Sequence, residues 1–140
     1  QKGIHEQVHF LGKQDRIREK LALCDILLMP SELESFGLAA LEGMACEVVP
    51  IATRSGGVPE VIDHGVTGYL ADVGDVETMS RYAIELLSDE SALRAMGKRA
   101  RATCQARFCT SRIIPLYEDF YRKVLAQEPQ PPSALQDALR

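Results

Sequence analysis

Glu34 and Glu42 stand eight positions apart in the stretch ESFGLAALE, separated by Ser35, Phe36, Gly37 and an apolar run. A helix that begins near Gly37 has first-turn N–H groups without intrahelical acceptors, and its dipole adds positive potential at the same end. Such an end attracts phosphate. Glu42 then lies about 7.5 Å along the axis from Gly37, at 1.5 Å of rise per residue, while Glu34 belongs to the loop in front. Two carboxylates bracketing an anion-seeking helix start suit a nucleotide diphosphate sugar, whose ribose and sugar hydroxyls can each donate to a carboxylate. A purely structural reading stands beside this one: Ser31 and Glu34 have capping-box spacing, and Glu42 is then a solvated edge residue. Spacing alone leaves both open.

The elements that must position these residues follow from hydrophobic periodicity. VHFLG (8–12) reads as a strand ending in a glycine turn, and QDRIREKLALCD places Ile17, Leu21 and Cys24 at helical spacing behind Asp15 as a start signal. DILLMP is a continuous apolar run closed by Pro30, as in a strand covered on both faces. Helical spacing returns in FGLAALEGMACE, where Leu38, Leu41 and Ala45 share one arc with Met44 beside it, and Glu42 sits about 40° from Leu38 on the border of that stripe. VVPIAT is the next buried strand, SGGVPEVIDHGVTG a loop with one short helical turn, and GYLAD a last short strand.

From Asp75 the pattern turns helical. Met79, Tyr82, Ala83, Leu86 and Leu87 define one helix, and ESALRAMGKRARATCQARF and TSRIIPLYEDFYRKVLAQ two more, the second interrupted by Pro115. Strands alternating with helices in the first half predict an α/β fold: βα units on a mostly parallel sheet, flanking helices and a helical C-terminal cover. Ligands of such sheets bind beyond the carboxyl ends of the strands. Residues 1–127 are expected to form the binding domain, and 128–140 a loose proline-rich tail.

At 140 residues, 46% hydrophobic and 26% charged, the chain can bury a core. Its net charge of -4 gives no footing for a nucleic-acid partner or an anionic membrane surface. No apolar run approaches the roughly 18 residues of a membrane span, and QKGIHEQVHFLG lacks a signal-peptide layout, so a cytoplasmic setting is expected. The start at Gln1 suggests a piece of something longer. Cys24, Cys46, Cys104 and Cys109 form no C-x-x-C pair and are expected as small buried hydrophobes.

PSELESFGLAALEGMAC followed by PIATRSGGVPEVIDHGVTGYLADVGD resembles the donor-binding, C-terminal half of retaining GT-B glycosyltransferases of the family-4 type. The similarity spans residues 8–125. It implies a Rossmann-like, partial GT-B C-terminal domain. Glu34 would be the catalytic-site acid on the donor-sugar hydroxyls and Glu42 the contact to the ribose. Ser35, Phe36, Gly37 and Leu38 would face the sugar and diphosphate, with Gly12 and Lys13 near the base. Enzymes of this type need no cofactor or metal, and UDP-N-acetylglucosamine is the implied donor, passed to a small-molecule acceptor held mainly by an N-terminal domain. Basic side chains and the helix start stabilise the leaving diphosphate in them, which is electrostatic catalysis. Two departures stand out: Glu47 occupies a usual glycine position, and Pro50 comes one place late. The basic residues that hold the diphosphate, like the acceptor domain, are expected upstream of Gln1. A non-catalytic α/β nucleotide-binding or scaffold module is the alternative.

HEQVH (5–9) matches H-E-x-x-H, yet as a strand it separates His5 and His9 by about 13 Å, too far for one zinc ion. Gly56 and Gly57 in RSGGVPE suit a tight turn or an anion cradle. His64 reads as a loop hydrogen-bonder, Arg94, Lys98, Arg99 and Arg101 as a solvated helix face, and Tyr117, Phe120, Tyr121 and Leu125 as core.

Overall fold

Three parallel strands lie in the order β1 (Ile26–Met29), β2 (Val49–Thr53), β3 (Tyr69–Ala71) in the computed structural model, which describes residues 3–126. Ile26 pairs with Val49, and Ile51 with Tyr69. Helix α1 (Ile17–Leu21) precedes β1, α2 (Leu38–Ala45) and α3 (Val58–Val61) connect the strands, and α4 (Val76–Ser88), α5 (Glu90–Phe108) and α6 (Thr110–Ala126) follow. The expected α/β class and parallel sheet are both present.

β2 is central and wholly buried. Strand alternation sends Val49 and Ile51 to one face, where they pack with Ala71, Met79, Leu86, Leu93 and Met96 of β3, α4 and α5. Helix α2 packs against β2, β1 and α3, and Met44, Val48, Val58 and Val61 are all buried. Pro50 sits within this central strand at little cost. The Val49 N–H points to β1, donating to the Asp25 carbonyl, so the N–H that proline lacks belongs to the β3 side, where pairing begins only at Ile51. Gly68 completes the fit, because a Cβ there would stand 2.4 Å from the Pro50 carbonyl oxygen.

Several expectations change. VHFLG (8–12) forms no strand: it is exposed, with Phe10 at 96%, and pairs with none of the three strands. His5 lies in a 3-10 turn (His5–Gln7) and His9 in the extended segment after it, so the two do not share a helix face. α1 is one short turn behind Arg16, without a side-chain cap from Asp15, and of its predicted face only Leu21 is buried. β1 is an edge strand rather than one covered on both faces, which leaves Leu28 52% exposed. α2 buries Ala40, Gly43 and Met44, whereas Leu38 and Ala45 face solvent. Small residues face the sheet because the helix runs close to it: a Cβ on Gly43 would stand 3.2 Å from the Leu27 side chain.

Two compact units divide the chain at Gln105. Of the second, the described residues are the last of α5 and all of α6. Tyr117, Phe120, Tyr121 and Leu125 are 59–83% exposed there and not core, since those residues include no second layer for the stripe to bury against. The cysteines are likewise not buried: Cys24 and Cys109 are exposed, Cys46 and Cys104 half-buried. α6 continues through Pro115, and Leu87 on α4 is exposed. The predicted tail at 128–140 lies outside the described residues.

Candidate functional site

The loops leaving β1 and β2 emerge side by side at the carboxyl edge of the sheet, because Met29 pairs with Ala52. Side-chain and backbone hydrogen bonds then join them. The buried Thr53 hydroxyl donates to the Ser31 carbonyl, the Ser55 hydroxyl donates to the Glu32 carbonyl at 2.9 Å, and the Glu34 N–H donates to Ser55 Oγ at 3.2 Å. Farther along, the Gly57 N–H donates to the Ser35 carbonyl at 3.1 Å. Residues 31–35 are thus held along residues 53–57.

That loop delivers Glu34 to the start of α2. Its Oε1 accepts the Gly37 N–H at 3.3 Å, and the helix proper begins with the Leu41 N–H on the Gly37 carbonyl. Gly37 is required twice: its φ is +96°, and a Cβ would stand 3.3 Å from the Val58 side chain of α3. The N–H groups of residues 38–40 precede the first intrahelical acceptor, so the end carries the partial positive charge that favours an anion. One amide occupies only part of the accepting capacity of the Glu34 carboxylate, which offers about four lone-pair sites.

The capping box predicted from Ser31 is absent. α2 starts at Leu38, too far along the chain for Ser31, whose carbonyl instead receives Thr53. Glu34 nevertheless acts on the helix start, through the Gly37 N–H that its carboxylate accepts. Ser35 is exposed at the lip, and Phe36 is half-buried against Gly57. Leu38 is 65% exposed beside them.

Glu42 is exposed and not at the edge of a buried stripe. It lines a groove of about 420 Å³ between α1 and α2, with Ile17, Arg18, Leu21, Ala45 and Cys46. A carboxylate there is solvated and can accept hydroxyl donors. Gly12 and Lys13 lie outside the bonded group, on the exposed segment ahead of α1, where Gly12 makes a turn at φ +61°. The site residues expected together therefore separate into a tightly held set, 34–38, a groove residue, Glu42, and an outlying pair.

Gly56 and Gly57 are turn glycines. The Gly57 amide is already engaged, and Gly56 has φ +53° with Glu34 directly against it, so close approach, not anion binding, explains them. Sequence reasoning missed Thr53 and Ser55 as the residues that hold the acidic loop. Their signal was small hydroxyl side chains at the carboxyl end of the central strand. Arg54 was missed too: it lies at that edge, its N–H on the Ala71 carbonyl and its side chain 3.9 Å from Asp72. His64 is a hydrogen-bonder as expected, and it ties its loop to β3, its Nδ1 accepting the Leu70 N–H at 3.0 Å.

No helix among the described residues is long and apolar enough to cross a membrane. Residues 1–103 match the family model described as glycosyl transferases group 1. Over 125 residues the chain is 50% identical to N-acetyl-alpha-D-glucosaminyl L-malate synthase of Bacillus anthracis, covering 89% of this chain and 33% of that protein. Among solved structures, Anabaena HepE in complex with UDP superposes with a TM-score of 0.83 at 26% identity, over 86% of this chain and 34% of the other. Sucrose-phosphate synthase from Thermosynechococcus elongatus gives 0.83 at 29%, over 88% and 31%. The chain spans about a third of the length of these proteins. Its fold is a partial GT-B C-terminal domain, and the chain belongs to the group 1 glycosyltransferases.

Proposed function

We propose that this chain is the donor-binding part of a retaining glycosyltransferase that moves N-acetylglucosamine from UDP-N-acetylglucosamine to a small-molecule acceptor. One observation carries the reading: an amide-presenting helix start has the Glu34 carboxylate fixed at its lip and Glu42 on its flank. The diphosphate meets the first-turn amides of α2. Glu34, being anionic, repels phosphate and so takes the neutral sugar hydroxyls, while Glu42 takes the ribose hydroxyls. Support comes from the malate synthase relative, whose name specifies an N-acetylglucosaminyl product, and from HepE, solved with UDP and with UDP-glucose. No metal or cofactor has a role in this scheme, because the amides and the helix dipole stabilise the leaving diphosphate. In this reading the acceptor is held by a part of the enzyme that this chain does not span, the chain covering 33% of the malate synthase relative.

An NMR titration with UDP-N-acetylglucosamine tests the reading. Amide shifts centred on residues 34–42 are expected; shifts confined to other surfaces would overturn it. The 140-residue chain alone is expected to transfer no sugar, and measurable turnover would contradict that division of labour.

A further inference from the structure

Ser55 bridges two loops with a single hydroxyl. It donates to the Glu32 carbonyl at 2.9 Å and accepts the Glu34 N–H at 3.2 Å, and only 9% of the residue is exposed. Glu34 is therefore gripped from both sides of its backbone: its N–H by Ser55 and its carbonyl by the close approach of Gly56. Glu42 is set differently, by the helical backbone of α2, on a flank that faces α1. The two carboxylates thus depend on different supports.

We infer that Ser55 is a positioning residue for the sugar end of the donor, acting through Glu34 without touching the ligand. The inference rests on the donor-site reading above. With its backbone held on both sides, Glu34 keeps its carboxylate against the Gly37 amide and presents it to the sugar without an ordering cost at binding. Loss of the Ser55 hydroxyl removes the hold on the Glu32 carbonyl and the Glu34 N–H, loosens residues 32–34, and leaves the α2 amides and Glu42 in place. Recognition of the sugar then suffers, and recognition of the nucleotide does not.

Calorimetric titration of the 140-residue chain with UDP and with UDP-N-acetylglucosamine separates the two. Ser55→Ala is expected to bind the nucleotide sugar about tenfold more weakly while its affinity for UDP stays within about twofold. Ser55→Cys, nearly the same size with a weaker donor and acceptor, is expected to fall between wild type and Ser55→Ala for the sugar nucleotide alone. Equal losses for both ligands would show a merely structural role and overturn the inference, as would no loss for either. So would failure of both variants to fold. If the wild-type chain binds neither ligand, the donor-site reading fails. The positioning role is then judged on amide exchange in the ligand-free protein: Ser55→Ala is expected to speed exchange at Glu34 and Gly37, and unchanged rates at both would overturn it.

Discussion

Gly56 passes so close to Glu34 that a Cβ at position 56 would stand 1.6 Å from the Glu34 carbonyl oxygen and 2.8 Å from its carbonyl carbon. Backbone meets backbone here, so no side-chain rotation relieves the overlap. Gly56 also has φ +53°, which costs a residue with a Cβ about 1–2 kcal/mol before any clash is counted. Gly56→Ala is therefore expected to destabilise the chain by at least about 2 kcal/mol, adding an overpacking cost of similar size. Equilibrium urea unfolding measures it; a change under 0.5 kcal/mol on the scale of surface substitutions, roughly the noise of neutral sites, would refute the close approach.

The two carboxylates are expected to fail differently. Glu34→Gln keeps the shape and can still accept the Gly37 N–H, but removes the charge that strengthens hydrogen bonds from sugar hydroxyls. Affinity for UDP-N-acetylglucosamine should drop about tenfold with UDP binding nearly unchanged. Glu42→Gln, on the ribose contact proposed for it, should weaken both ligands by a similar factor. Identical profiles for the two variants, measured by titration, would refute the assignment of sugar and ribose ends.

Legibility in the sequence followed the range of the forces involved. Val49 to Thr53 was readable because a buried strand needs only a continuous apolar run, and the helix at Leu38 because its glycine and spacing are local signals. The failures are tertiary. The apolar letters of VHFLG could not reveal that no strand lies beside it, nor those of Leu28 that its strand is an edge. On α2 the wheel selected the large residues, whereas a close helix–sheet approach selects Gly43 and Ala40 for the buried side. Within the site, Glu34 and Glu42 were legible as charges in an apolar run. Ser55 was not, because its role exists only once two loops 21 residues apart in sequence come together.

Glu47 is the only non-glycine residue with positive φ, at +65°, among the described residues. It ends α2 in a Schellman arrangement: the Val48 N–H donates to the Gly43 carbonyl and the Glu47 N–H to the Met44 carbonyl. The resemblance expected glycine here, and the backbone shows why. Its compensation is an exposed ion pair with Arg101 at 3.2 Å, a class of interaction that contributes about 0–1 kcal/mol. Glu47→Gly is expected to stabilise the chain by up to about 1 kcal/mol, since relief of the left-handed conformation outweighs the lost pair. Thermal unfolding checks the sign; a lower melting temperature would mean the ion pair dominates.

Asp75 caps α4, its Oδ1 accepting the Thr78 N–H at 2.9 Å, and that bond holds its carboxyl below the ordinary aspartate range. A folded-state pKa below the unfolded one means the unfolded chain binds the proton more readily. The cap's contribution is therefore fully present above the unfolded aspartate pKa and is lost as pH falls through the folded value. Asp75→Ala should melt below wild type at neutral pH, and the gap should close as the solution is taken below the aspartate range. A gap independent of pH would assign the loss to packing.

Cys109 immediately precedes α6, and its carbonyl accepts the N–H groups of Arg112 and Ile113. The Ser111 hydroxyl lies 3.3 Å from its sulfur, and hydrogen bonds from Ser111, then Thr110, favour the thiolate and lower the thiol's pKa. Because the thiolate is the nucleophile, alkylation of this exposed residue should reach half its maximal rate at a lower pH than a free thiol does. Ser111→Ala removes the leading donor, so its rate profile should move to higher pH by a measurable fraction of a unit. Mass-spectrometric rates of iodoacetamide labelling across pH decide this. A profile for Cys109 that coincides with a free thiol's, or one unmoved by Ser111→Ala, would show that the Ser111 hydroxyl does not stabilise the thiolate.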